Sequence, residues 1–81
     1  MIHLEVRTKL DVAEATNKLK SFFGKEGLGL TLSEESSQCL NFEGGGGYVT
    51  ATLCSEGGRT RIDLVSQEWE EQVKKFSLGL P

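Results

Sequence analysis

The sequence predicts an α+β domain: an antiparallel sheet of about five strands, in the order β-α-β-β-β-β-α, with two helices packed on one face. Three observations carry this expectation. From Leu40 to Val65, apolar residues fall on alternate positions: Leu40 and Phe42, then Val49, Ala51 and Leu53, then Ile62 and Leu64. Glycines at 44–47 and 57–58 interrupt that alternation twice. Such a pattern marks consecutive antiparallel strands joined by tight turns. Two other segments, 12–23 and 69–76, carry their apolar residues at helical spacing. Strands in a run, flanked by helices, place those helices on one face of an antiparallel sheet.

With 81 residues there is length for one domain, 1–81, and no second. A chain of this size buries about 60% of its unfolded surface, so its core is thin and self-association is a ready source of further burial. Hydrophobic residues at 37% and charged residues at 26% suit a globular rather than a disordered chain. The net charge of −3 opposes nucleic-acid binding, which calls for a basic stripe. No apolar run approaches the roughly 20 residues that span a bilayer. The opening MIHLEVRTKL alternates like a strand and is not patterned as a secretory leader. A cytoplasmic location is therefore expected, without membrane or nucleic-acid partners.

Taken in order, Ile2, Leu4 and Val6 alternate with His3, Glu5 and Arg7, which predicts a half-buried first strand. Asp11 with Glu14 three residues on has capping-box spacing at the head of a helix. Val12, Ala15, Leu19 and Phe22 form the apolar stripe, widened by Phe23, and Gly24 supplies the stop. Leu28, Leu30 and Leu32, interleaved with Gly29, predict a second strand. The polar segment Ser33–Gln38 is expected to be a loop, leading into a meander over Cys39–Val65. Ser66 is expected to cap a final helix, with Gln67 and Glu68 in its first turn. Trp69, Val73 and Phe76 line one face of that helix, and Lys74 and Lys75 fall near its favourable end.

Several features invite a chemical reading, each with a plainer one beside it. Gly44–Gly47 could cradle an anion through bare backbone amides, but nucleotide loops need a following helix or a lysine. A strand follows here, so the glycines predict a turn. His3 is the single imidazole and has no nucleophile beside it in sequence. Cys39 and Cys54 lack metal or redox spacing and fall on the polar side of the strands. Free thiols are expected, with cross-strand pairing as the alternative. No pattern calls for a metal or a cofactor.

Parity gathers His3, Glu5, Arg7, Asn41, Glu43, Tyr48, Thr50, Thr52, Arg59, Arg61 and Asp63 on one sheet face. Ion pairs between neighbouring strands would satisfy these charges. Alternatively the face docks another protein or a second copy, with Arg7, Tyr48, Arg59 and Arg61 as the residue types that favour interfaces. On the other face, Trp69, Val73 and Phe76 with Phe22 and Phe42 form either plain core or the lining of a small apolar pocket.

The opening strand IHLEVRTKL, the helix DVAEATNKLKSFF directly after it, the antiparallel meander and the closing helix SQEWEEQVKKF together resemble a reduced helix-grip fold (START/Bet v 1-like, polyketide-cyclase-like). That resemblance implies a closing helix lying across the sheet, with an apolar ligand held between them. It covers the whole chain as an order of elements and carries no residue-specific motif. Two functions follow as expectations. The first is a non-catalytic binding or protein-interaction module, dimeric through the polar face or an exposed edge strand. The alternative is a binder of a small apolar ligand, or a cyclase-like enzyme relative, using a pocket between the last helix and the sheet.

Overall fold

The computed structural model describes all 81 residues. Seven elements follow in the expected order: β1 (Ile2–Thr8), α1 (Val12–Phe23), β2 (Thr31–Glu35), β3 (Cys39–Gly44), β4 (Gly47–Glu56), β5 (Arg59–Gln67) and α2 (Glu70–Leu78). The strands form one open antiparallel sheet in the spatial order β1-β5-β4-β3-β2. Chain order is thus kept across β2 to β5, while α1 carries the chain from one sheet edge to the other.

Local chemistry explains the boundaries. Asp11 Oδ1 accepts from the Glu14 amide at 2.8 Å and Glu14 Oε1 accepts from the Asp11 amide at 3.2 Å, which completes the capping box. The β3–β4 and β4–β5 hairpin turns each have two central glycines with positive φ, +58° and +81° at Gly45 and Gly46, +54° and +81° at Gly57 and Gly58. These are the angles of the turn whose twist matches that of the flanking strands, and only residues without a Cβ adopt them without strain.

The two helices cover the face formed by Leu40, Phe42, Val49, Ala51, Leu53, Ile62 and Leu64, all buried. Phe23 joins the layers: its ring centroid lies 5.7 Å from that of Phe42 in the sheet and 5.5 Å from that of Phe76 on α2. Phe23 is fully buried and Phe22 only half-buried, so the ring that the stripe placed at its margin is the one at the centre. At the chain ends, Thr8 Oγ1 and the Lys9 amide both donate to the Pro81 carbonyl.

Three boundaries differ from expectation. Leu28 does not begin a strand. Its amide donates to the Phe22 carbonyl and the Gly27 and Gly29 amides donate to that of Gly24, so this segment closes the end of α1. β2 starts at Thr31 and continues through Glu35, with a register shift between Leu32 and Glu34, so residues 33–35 are strand rather than loop. Ser66 is not a helix cap. It lies in β5, fully buried, and its hydroxyl donates to the Tyr48 carbonyl at 3.0 Å. α2 begins at Glu70, after Glu68 at φ +73° and Trp69 at the cap position.

Candidate functional site on the outer sheet face

The strand registers align the solvent-facing residues into rows across the sheet. Gln67, Tyr48, Glu43 and Thr31 form one; His3, Val65, Thr50, Asn41 and Glu34 the next; Glu5, Asp63, Thr52 and Cys39 a third; Arg7, Arg61 and Cys54 a fourth. Tyr48 and Cys54 are six residues apart on β4, which is about 20 Å at the rise of a strand. The four residues expected to form one interaction face are therefore split. Arg7, Arg59 and Arg61 stand at one end and Tyr48 at the other.

At the arginine end, Arg7 and Arg61 are held by carboxylates of the same face. Arg7 Nη1 lies 2.8 Å from Glu5 and its Nη2 3.7 Å from Glu56. Arg61 Nη1 lies 2.7 Å from Glu56 and its Nε 3.3 Å from Asp63. Glu56 first, and then Asp63, hold the Arg61 guanidinium still more firmly protonated than usual. His3 Nε2 extends the chain at 3.8 Å from Asp63. Arg7 and Arg61 sit directly opposite each other, and the carboxylate of Glu56 between them offsets their repulsion. Arg61–Glu56 and His3–Asp63 join neighbouring strands as the plainer expectation has it, whereas Arg7–Glu5 and Arg61–Asp63 run along a single strand and Arg7–Glu56 reaches across β5.

The Tyr48 end is shaped differently. A trough of about 770 Å³ opens there, lined by Thr31, Ser33, Asn41, Glu43 and Tyr48, with Gln67 and the glycine turn completing its rim. Its concavity comes from the sequence: Tyr48 and the β2 side chains stand as walls, while Gly44, Gly46 and Gly47 contribute no side chains. Asn41 organises the floor. Its amide donates to Ser33 Oγ at 2.8 Å and to Glu43 Oε2 at 3.0 Å, and its carbonyl accepts from Thr50 at 2.6 Å. The Tyr48 hydroxyl points along the face to Met1 Sδ at 3.2 Å. Beneath the turn, Trp69 Nε1 donates to the Gly44 carbonyl at 2.9 Å, which fixes the trough's end wall to α2.

Parity places Asn41, Glu43 and Tyr48 of the trough on the outer face, with Tyr48 as the residue type that favours interfaces. Thr31 and Ser33 lie where the sequence predicts other strand bounds, and Gln67 lies beyond the expected end of the last strand. Extending the outward parity of Arg59, Arg61 and Asp63 by two further steps would have reached Gln67.

The candidate pocket residues occupy the opposite face. Phe42 and Val73 are fully buried, Phe76 nearly so, and Trp69 and Phe22 half-buried. Phe22 and Phe76 meet edge-on at 5.4 Å and, with Leu80, line an apolar cleft of about 310 Å³ between the two helices. The structure brings those two together at an opening, while Phe42 and Val73 are buried in the core. Cys39 and Cys54 are free thiols placed diagonally, Cys39 opposite Thr52 and Cys54 opposite Arg61. Diagonal neighbours stand about 7–8 Å apart, wider than a disulfide usually bridges.

No protein-family model matches the chain, and no curated protein matches it.

Proposed function

We propose that the protein is a non-catalytic interaction module that seats a segment of a partner protein in the trough beside Tyr48. The carrying observation is the Asn41 network: a preformed set of hydrogen bonds at the floor of a concave surface, on the face that the helices leave open. Three groups around it have capacity to spare: the Thr31 hydroxyl, the Gln67 carboxamide and the second oxygen of Glu43. The lining contains no cation, so acidic or phosphorylated segments gain nothing there. A neutral segment rich in amide and hydroxyl groups fits, with the Tyr48 ring as its apolar contact.

The test is selection of displayed peptides on the folded chain, followed by backbone-amide NMR with each selected peptide. Shifts confined to residues 31–33, 41–48 and 67, abolished by Gln67→Ala and Tyr48→Ala, are expected. Binding that leaves those amides unmoved would overturn the proposal.

A second reading has its own observation, the cleft between α1 and α2 lined by Phe22, Phe76 and Leu80. At about 310 Å³ it falls at the lower limit of small-molecule sites. A small apolar ligand would enter there, between the helices rather than between α2 and the sheet, where the helix-grip resemblance implies one. Amide shifts around Ser21, Phe22 and Gly79 on adding a small apolar ligand would support that reading over the first.

A further inference from the structure

The two edges of the sheet are unlike. β2 has five residues, a register shift between Leu32 and Glu34, and exposed Glu34 and Glu35, all of which discourage further pairing. β1 has seven residues in unbroken register with β5, from Ile2 opposite Ser66 to Thr8 opposite Thr60, and contains neither proline nor glycine. Outside the ladder with β5, no backbone hydrogen bond engages residues 2–7. The outer side of β1 is thus a regular, open row of amides and carbonyls. Its apolar side chains are also incompletely covered: Ile2, Leu4 and Val6 are half-buried, where Ile62 and Leu64 on the neighbouring strand are fully buried.

We propose that the occupant of this edge is a second copy of the same chain, with β1 pairing antiparallel to the partner's β1 about a two-fold axis at Leu4. This inference is independent of the trough, which lies towards the far edge.

The sequence of β1 selects the register. Side chains on opposed residues must share a face, which leaves only registers whose paired residue numbers sum to an even value. A sum of ten sets Glu5 against the partner's Glu5, two like charges directly opposed. A sum of twelve sets Leu4 against the partner's Thr8, whose hydroxyl is already engaged by Pro81. A sum of eight sets Ile2 against the partner's Val6 and Leu4 against the partner's Leu4 on the helix side. On the outer side it sets His3 against the partner's Glu5, and the symmetry repeats each pair. Apolar meets apolar and base meets acid from residue 2 to residue 6. The product is a continuous ten-stranded sheet with all four helices on one side.

Sedimentation of the 81-residue chain over micromolar to millimolar concentration tests this, the expected species having twice the 8.9 kDa mass of one chain. Glu5→Lys places a second base opposite His3 and should weaken association at least tenfold, while far-UV circular dichroism shows the fold retained. His3→Glu combined with Glu5→Lys restores opposite charges and should recover the dimer. In mixed labelled and unlabelled dimers, contacts between Leu4 and the partner's Leu4 should appear in isotope-filtered NMR. A chain that stays monomeric at millimolar concentration would overturn the proposal, and so would a dimer indifferent to Glu5→Lys.

Discussion

Gly45 stands where the β3–β4 turn rests on Trp69. A Cβ there would meet Trp69 Cζ2 at 2.9 Å, on a backbone with φ +58°. At Gly46 the angle is +81° but the space is open. Gly46→Ala should therefore cost only the left-handed strain, about 1–2 kcal/mol. Gly45→Ala should cost about 1–3 kcal/mol more from crowding the indole. Urea midpoints of the two variants check this; equal losses would mean that Trp69 does not support the turn.

Glu70 offers a second test at a single side chain. Its carboxyl is held below the ordinary value of 4.5, first by its own backbone amide, then by the Glu68 amide and the N-terminal ammonium 3.5 Å away. A lowered carboxylate stabilises the fold above its ordinary value and loses that contribution as pH falls through the folded value. Thermal melts should therefore show a fall in stability below about pH 4.5 that is smaller in Glu70→Gln.

At the scale of elements, α1 was legible because its signals are local and agree. Asp11 and Glu14 cap it, the apolar stripe runs at helical spacing and glycine follows. Asp11→Ala should cost about 1 kcal/mol, read from denaturant melts. The end of β5 was illegible for the converse reason. Ser66 before two polar residues carries the local signature of a cap, but the alternation of Thr60, Ile62 and Leu64 continues through it. Burial against the Tyr48 carbonyl outweighs capping. Ser66→Asp separates the two roles: a good N-cap residue would be tolerated at a helix start, whereas an unpaired charge at this buried strand position should cost about 3 kcal/mol or more. β2 failed similarly. The alternation of Leu28, Leu30 and Leu32 matches a strand, yet Leu28 and its flanking glycines are taken by the open carbonyls at the end of α1. The outer face was legible by parity alone. Its division into a paired arginine end and a concave Tyr48 end depends on strand order, which residues 2–67 do not reveal until β1 is seen beside β5.

For the whole molecule, stability and assembly are coupled through the size of the core. A chain of 81 residues is expected to be stable by about 4–12 kcal/mol. Phe23 is the one ring within 6 Å, centroid to centroid, of both Phe42 and Phe76. Phe23→Ala should remove about 3–5 kcal/mol, a large part of the total. A variant so near its folding limit reports sensitively on anything that binds the native state alone, because such binding stabilises by mass action. If two copies join through β1, the melting temperature of Phe23→Ala should rise with chain concentration. Adding Glu5→Lys to Phe23→Ala should flatten that dependence while leaving the low-concentration melt nearly where it was, since Glu5 is exposed and its contact with Arg7 is a surface ion pair. Melts at several concentrations for both variants thus separate the core's contribution from that of the edge. A concentration dependence that survives Glu5→Lys would assign the association to another surface.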